Sequence, residues 1–279
     1  RETADPSVLY EDGKWYLYPS DGMAWISEDF ASWKHIPVEV EGLGYAPCIV
    51  KHREVFYLTA CDSPLYRSNT PLGPWEKMGK IVDQDGNDLP FQMGDPMLFS
   101  DDDSRLYLYF GLSGPGIFGM ELDPENPRHG ISSIQLLFSF NPEHKWERMG
   151  EFNEDTSQSF CEGANMFKTG GRYYLTYAAP GTEYGSYATG CYIGNHPLGP
   201  FSYQKNNPVL AQNNGLVRGA GHGCIVRGPN ETIWAFYTSV VCRDHFFERR
   251  IGCDQGWIDE NGELRFHPAS QIPQQIPGS

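Results

Sequence analysis

Apolar residues come in short runs, and the runs are aromatic: Trp15-Tyr16-Leu17-Tyr18, Val55-Phe56-Tyr57-Leu58, Leu106-Tyr107-Leu108-Tyr109 and Tyr173-Tyr174-Leu175-Thr176. Short runs of aromatic and β-branched residues, bounded by Gly, Pro, Asp and Asn, are strand residues. No long segment holds the i, i+3, i+4, i+7 spacing of an amphipathic helix, and Gly or Pro interrupts nearly every window that could carry one. The pattern predicts an all-β protein.

These runs recur inside a larger unit. Asp5-Pro6-Ser7-Val8-Leu9-Tyr10 leads through a polar turn into the first aromatic run, and Ala46-Pro47-Cys48-Ile49-Val50 leads into the second. Asp95-Pro96-Met97-Leu98-Phe99, Glu162-Gly163-Ala164-Asn165-Met166 and His222-Gly223-Cys224-Ile225-Val226 repeat the plan, the last ahead of Ile233-Trp234-Ala235-Phe236. Several units continue into a third strand and a Pro-Leu-Gly-Pro-aromatic turn, at 71–75 and again at 197–201. Five units of roughly 40–50 residues plus insertions match the four-stranded blades of a five-bladed β-propeller better than a β-sandwich with similar hairpins. In a propeller the first residue of each innermost strand lies at the rim of the axial channel. Asp5, Ala46, Asp95, Glu162 and His222 are therefore expected to converge.

Residues 1–267 read as a single propeller, and 268–279, rich in Gln, Pro, Gly and Ser, as a tail or linker. With only four residues ahead of Asp5, ring closure is expected to rest on blade packing, and the outermost strand of the last blade to come from residues 257–266.

Charge narrows the partners. With 36 acidic against 21 basic residues and a net charge of −15, the surface repels phosphate backbones and anionic membranes, so nucleic acid is not an expected partner. No stretch approaches the ~18 apolar residues of a membrane span. The seven cysteines, Cys48, Cys61, Cys161, Cys191, Cys224, Cys242 and Cys253, show no zinc-ligand spacing and read as small buried apolar residues, which favours a reducing or anaerobic setting.

Three carboxylates and a histidine at one channel mouth suit general acid/base work, cation binding, or both. Asp5 and Glu162 fall on non-adjacent blades, which favours the carboxyl separation of roughly 6.5–9.5 Å used in inverting glycoside hydrolysis over the ~5–5.5 Å of the retaining reaction. A third carboxylate, Asp95, is placed to raise the pKa of the acid beside it.

The motifs Ala4-Asp5-Pro6-Ser7, Tyr45-Ala46-Pro47, Gly94-Asp95-Pro96, Glu162-Gly163 and Gly221-His222-Gly223, in this order from Ala4 to about Phe266, resemble glycoside hydrolase family 43. The resemblance implies a five-bladed propeller that hydrolyses arabinose- and xylose-containing plant polysaccharides, and some galactans, with inversion. It makes Asp5 the general base, Glu162 the general acid and Asp95 the residue that tunes the acid. It implies no required cofactor, and it places His222 near the axis, where many members hold a calcium or other ion largely through water. The plain alternative for His222 is a buried histidine bonded between strands.

Sugar rings pack their C–H faces on aromatics, and Trp25 and Tyr45, in or near channel-end loops, are the expected platforms, with Ala46 beside Tyr45. Where the family often has Trp-Ala-Pro-Asp, this chain has Tyr45-Ala46-Pro47-Cys48, so a carboxylate is missing and the stacking ring is smaller. By resemblance one of Arg249 and Arg250 contacts substrate, and strand alternation sends one of them inward, with Arg249 preferred. Alternation also turns Cys161 away from the pocket. The insertion 150–159, with Glu151, Asn153, Glu154 and Asp155, is expected to wall the site and favour exo action. The expectation is thus an inverting exo-hydrolase that removes terminal α-L-arabinofuranose or β-D-xylose from an oligo- or polysaccharide. The alternatives are a carbohydrate-binding propeller without catalysis and a galactan- or fructoside-acting hydrolase.

Overall fold

A computed structural model describes residues 2–112, 114–213, 217–241, 245, 247–271 and 274. The strands form five four-stranded antiparallel sheets in sequence order. The first blade holds β1 (Ser7–Glu11), β2 (Lys14–Tyr18), β3 (Met23–Ser27) and β4 (Lys34–Pro37); the second holds β5 (Cys48–His52), β6 (Val55–Thr59), β7 (Leu65–Ser68) and β8 (Glu76–Gly79). The third holds β9 (Met97–Ser100), β10 (Leu106–Phe110), β11 (Ile117–Leu122) and β12 (Gln135–Phe138); the fourth holds β13 (Glu162–Thr169), β14 (Arg172–Ala179), β15 (Ala188–Gly194) and β16 (Phe201–Tyr203). The fifth holds β17 (Gly221–Arg227), β18 (Ile233–Val240), β19 (Arg249–Ile258) and β20 (Leu264–Phe266). The outermost strand of this last blade is thus only the end of the expected 257–266 segment, because Trp257 and Ile258 still belong to β19 and pair with Arg265 and Leu264 of β20.

The aromatic runs follow from burial on both faces. Side chains alternate across a strand, and both faces of a blade are covered by neighbouring blades. Along β2, Trp15 and Leu17 pack with Trp234 and Phe236 of blade five, whereas Tyr16 and Tyr18 pack with Ile49, Phe56 and Leu58 of blade two. In β10, Leu106, Leu108 and Phe110 face blade two, and Tyr107 and Tyr109 face blade four. The seam between blades four and five is filled by Phe167, Tyr174, Ile225 and Tyr237. One apolar cluster therefore fills each of the five seams.

The closing seam, between blades five and one, has an apolar cluster of its own. The rings of Trp15 and Phe236 lie 5.9 Å apart, those of Phe30 and Trp234 5.0 Å. A backbone bond from Thr3 N–H to Arg249 O, at 3.2 Å, adds to this packing. The two Pro-Leu-Gly-Pro turns also have one function: Pro71 O accepts from Tyr18 of the preceding blade, and Pro197 O accepts from Tyr109 at 2.7 Å. Of the segment read as tail or linker, Ala269 is buried in the blade-four/five core and Ser270 N–H donates to Asp254 Oδ2 at 3.1 Å. Residues 272–273 and 275–279 of that segment lie outside the described residues, as does Cys242.

Candidate active site

The rim residues share one backbone signature. Asp5, Ala46, Asp95 and His222 all have positive φ, at 52°, 49°, 45° and 23°. A non-glycine residue in this region costs about 1–2 kcal/mol, and such strain concentrates where function needs it. In blade four the residue in this conformation is Gly163, at 61°, and strand register agrees. The residue two beyond the rim faces Tyr18, Thr59, Tyr109 and Phe236 in the other blades, and Asn165, two beyond Gly163, faces Thr176. Glu162 therefore lies one residue before the repeat position, a correction to the sequence alignment. Glycine is required in the slot because a Cβ there would come within 2.6 Å of the His222 ring.

The rim brings Asp5, Asp95 and His222 into direct contact. His222 Nδ1 lies 3.4 Å from Asp5 Oδ1 and 3.5 Å from Asp95 Oδ2. Asp5 accepts from Ser20 Oγ–H at 2.7 Å and Arg249 Nη1 at 3.3 Å, while Thr238 Oγ1, 3.5 Å away, has a nearer acceptor in His222 O at 3.0 Å. Arg249 is buried, turned inward as alternation predicts, and held by Glu2 at 2.6 Å, whereas Arg250 is exposed and bonds Glu248. Asp95 Oδ2 accepts Gly163 N–H at 3.1 Å, which ties blade three to blade four beside Glu162.

Glu162 has a poorer environment: Tyr187 O–H donates to its Oε1 at 2.7 Å. Burial, then the charge of Asp95, pushes its carboxyl up to about 8 against the opposing pull of that bond and of His222. Burial also raises Asp95, with Asp5 adding to the shift and His222 opposing it. For His222, burial disfavours the charge, but Asp95, Asp5 and Glu162 outweigh it and raise the imidazole. Carboxyls in one mouth, one kept protonated and another accepting from a serine and an arginine, can give and take protons on one substrate.

Of the expected sugar contacts, Tyr45 is 63% exposed at the mouth and Ala46 is buried on the rim, its N–H donating to Ser20 Oγ at 2.7 Å. Tyr45 and the exposed Phe247 border a groove of about 580 Å³ that also takes in Glu2, Ser20 and Asp21. Trp25 is not brought there. It lies within β3, where alternation sends Ala24 and Ile26 to the blade-one/two seam and Trp25 to the blade-five/one seam. Cys161 is buried between blades three and four. Glu151, in the insertion, accepts Gly185 N–H at 2.8 Å and pairs with Arg218 at 2.7 Å, so the loop is tied to the segment that carries Tyr187.

Sequence reasoning missed Glu2, Ser20, Cys61, Tyr187, Thr238 and Phe247. Ser20, Cys61 and Thr238 carried a signal, since each stands two residues beyond the strand partner of rim-plus-two. Tyr187 and Glu2 carried none. Among the described residues, no group of three or more His, Cys, Asp or Glu side chains is arranged to hold a metal ion. His222 Nδ1 faces two carboxylates as a proton donor would, which does not fit direct ligation of calcium, a cation that takes about six to eight oxygen ligands.

The sequence pattern of Glycosyl hydrolases family 43 matches residues 1–256. The chain belongs to that family. It is a glycoside hydrolase, and carbohydrate is its substrate; members generally need no cofactor. This family 43 chain is 23% identical to "Beta-D-galactofuranosidase xynD" of Aspergillus niger over 94% of its own length and 81% of that protein. It is 30% identical to a "Xylosidase/arabinosidase" of Bacteroides ovatus over 39% of each chain. A solved thermostable family-43 glycoside hydrolase superposes with a TM-score of 0.84 at 22% identity, covering 100% of this chain and 96% of that one.

Proposed function

We propose that this family 43 hydrolase is an inverting, exo-acting glycosidase that removes terminal α-L-arabinofuranose or β-D-xylose from plant-type oligo- or polysaccharides. Glu162 is the general acid, Asp5 the general base and Asp95 the residue that keeps the acid protonated. The observation that carries the reading is the contrast between two carboxyls of one mouth. Glu162 is raised to about 8 and bonded by one tyrosine, while Asp5 accepts from a serine and an arginine.

In this mechanism the sugar lies between blades one and four. Glu162 protonates the glycosidic oxygen as the bond breaks, and Asp5 takes a proton from the water that attacks the opposite face of the anomeric carbon. Arg249, through Asp5 and Glu2, holds the base in register. Tyr45 offers a face for the sugar ring. Xylosidase and arabinosidase relatives support the pentose.

The Aspergillus relative supports a second reading. β-D-galactofuranose presents the same ring configuration as α-L-arabinofuranose and differs in its longer exocyclic chain, so a pocket for one is close to a pocket for the other. The test is initial rates of wild type and Asp5→Asn on 4-nitrophenyl α-L-arabinofuranoside, β-D-xylopyranoside and β-D-galactofuranoside, with the first-formed anomer read by NMR. Turnover of a pentoside with inversion, absent in the variant, is expected. Turnover of the galactofuranoside alone replaces the pentose, and a retained anomer overturns the inverting assignment.

A further inference from the structure

The rim contains a second ring of side chains, which comes from the blade repeat. In register terms Ser20, Cys61, Gly111, Ala178 and Thr238 are equivalent, each two residues beyond Tyr18, Thr59, Tyr109, Thr176 and Phe236. Each of the three that carry a polar side chain accepts the rim N–H of the next blade and lies against a rim carboxylate. Thr238 Oγ1 accepts Asp5 N–H at 2.9 Å and approaches Asp5 Oδ1 at 3.5 Å. Ser20 Oγ accepts Ala46 N–H at 2.7 Å and donates to Asp5 Oδ2 at 2.7 Å. Cys61 Sγ accepts Asp95 N–H at 3.1 Å and donates to Asp95 Oδ1 at 3.4 Å.

We propose that Cys61 is a positioning residue for Asp95, holding its N–H with a thiol as Thr238 holds that of Asp5 with a hydroxyl, and donating to its carboxylate as Ser20 donates to that of Asp5. The inference rests on the role given to Asp95 above. Its two bonds pin both the left-handed backbone of Asp95 and one carboxylate oxygen, leaving Oδ2 to Gly163 N–H and His222. Burial, then the adjacent Asp95, pushes the thiol above its ordinary value, so sulfur keeps its proton and serves as donor, not nucleophile. The other groups that act on Asp95 are His222, which favours its charge, and Asp5, which disfavours it; Glu162 and Tyr187 feel its field in turn.

Ionised Asp95 is the form that orients Glu162 as well as tuning it; the donor stabilises that form, so its loss makes Asp95 harder to ionise and moves the acid limb of the kcat/KM profile upward. The alkaline limb should not move, because Asp95 is ionised there in either protein. The experiment is the pH profile of Cys61→Ala and Cys61→Ser on a substrate with a poor leaving group. Cys61→Ala is expected to shift the acid limb up by about half a unit or more, as removal of a donor to a buried carboxylate does. Cys61→Ser, with a stronger donor, should hold the limb at or below its wild-type position. Superposable profiles, or a loss of rate equal at every pH in both variants, overturn the inference. Asp95→Asn separates the two readings: if it leaves both limbs in place, the role of Asp95 is wrong. If it moves a limb and Cys61→Ala does not, the role of Cys61 is wrong.

Discussion

Removing one oxygen atom tests the electrostatics of the acid. Tyr187 O–H donates to Glu162 Oε1 at 2.7 Å, and its ring packs against Gly221, where a Cβ would lie 2.4 Å away. Tyr187→Phe therefore deletes the bond while packing keeps the ring in place. Burial, then Glu162, holds the phenol well above its ordinary value, so it is a donor throughout the working range. A donor favours the carboxylate over the acid, so its loss must raise Glu162 further. A hydrogen bond to a charged group is worth about 1.5–3 kcal/mol and a pKa unit about 1.4, so the ceiling is about one to two units. Because the hydroxyl can also bond the neutral acid, about one unit is expected.

Starting from about 8, Glu162 is protonated in roughly nine molecules of ten at pH 7. The variant should then match wild type within about twofold at neutral pH, and differ on the alkaline limb of kcat/KM, which moves up by about one unit. The assay is the pH profile on an unactivated oligosaccharide. A limb that stays in place or moves down refutes the argument, and so does a loss of rate that is the same at every pH, which would make Tyr187 a positioning group only.

Glu162→Gln should lose about 10²–10⁴-fold on unactivated glycosides and far less on aryl glycosides with good leaving groups, whereas Asp5→Asn should fail on both; equal losses for Glu162→Gln count against the acid assignment. Thermal unfolding offers an independent check. A carboxyl raised from 4.5 to about 8 on folding costs stability as pH climbs through that window, so Glu162→Gln should gain in Tm over wild type at pH 8.5 and little at pH 4. A Tm difference that is flat across pH would contradict the shift.

The blades were legible because their physical cause is local. A strand covered on both faces must be apolar at every position, and the runs at Trp15, Phe56 and Leu106 state that directly. Convergence of Asp5, Asp95 and His222 followed from the repeat alone. Trp25 misled because its place was judged from its distance to a loop, when the parity of β3 sends it to the closing seam. The offset at Glu162 was hidden because strand register cannot be read from residue types, although Glu-Gly in place of Asp-Pro was a sign that glycine held the left-handed slot. Tyr187 and Glu2 reach the site through contacts made only once the ring is closed.

The same offset explains how one symmetric ring can hold two unlike carboxyls. Where blades one, two and five carry Ser20, Cys61 and Thr238, blades three and four carry Gly111 and Ala178, which have nothing to donate. Asp5 thus falls between two hydroxyl-bearing positions: its carboxylate accepts from Ser20 and Arg249, and its N–H is held by Thr238. Glu162 pairs with Ala178, a position without a side-chain donor, and the slot that would have set it level with Asp5 is taken by Gly163, whose N–H goes to Asp95 instead. Two carboxyls of one ring can thus differ in their donors without a difference in fold. Gly111 is small for a steric reason, since a Cβ there would lie 2.2 Å from Gly116 O; Ala178, the strand partner of Glu162, is the position where a missing hydroxyl bears on the proposed acid, because a donor there would favour the carboxylate over the protonated form.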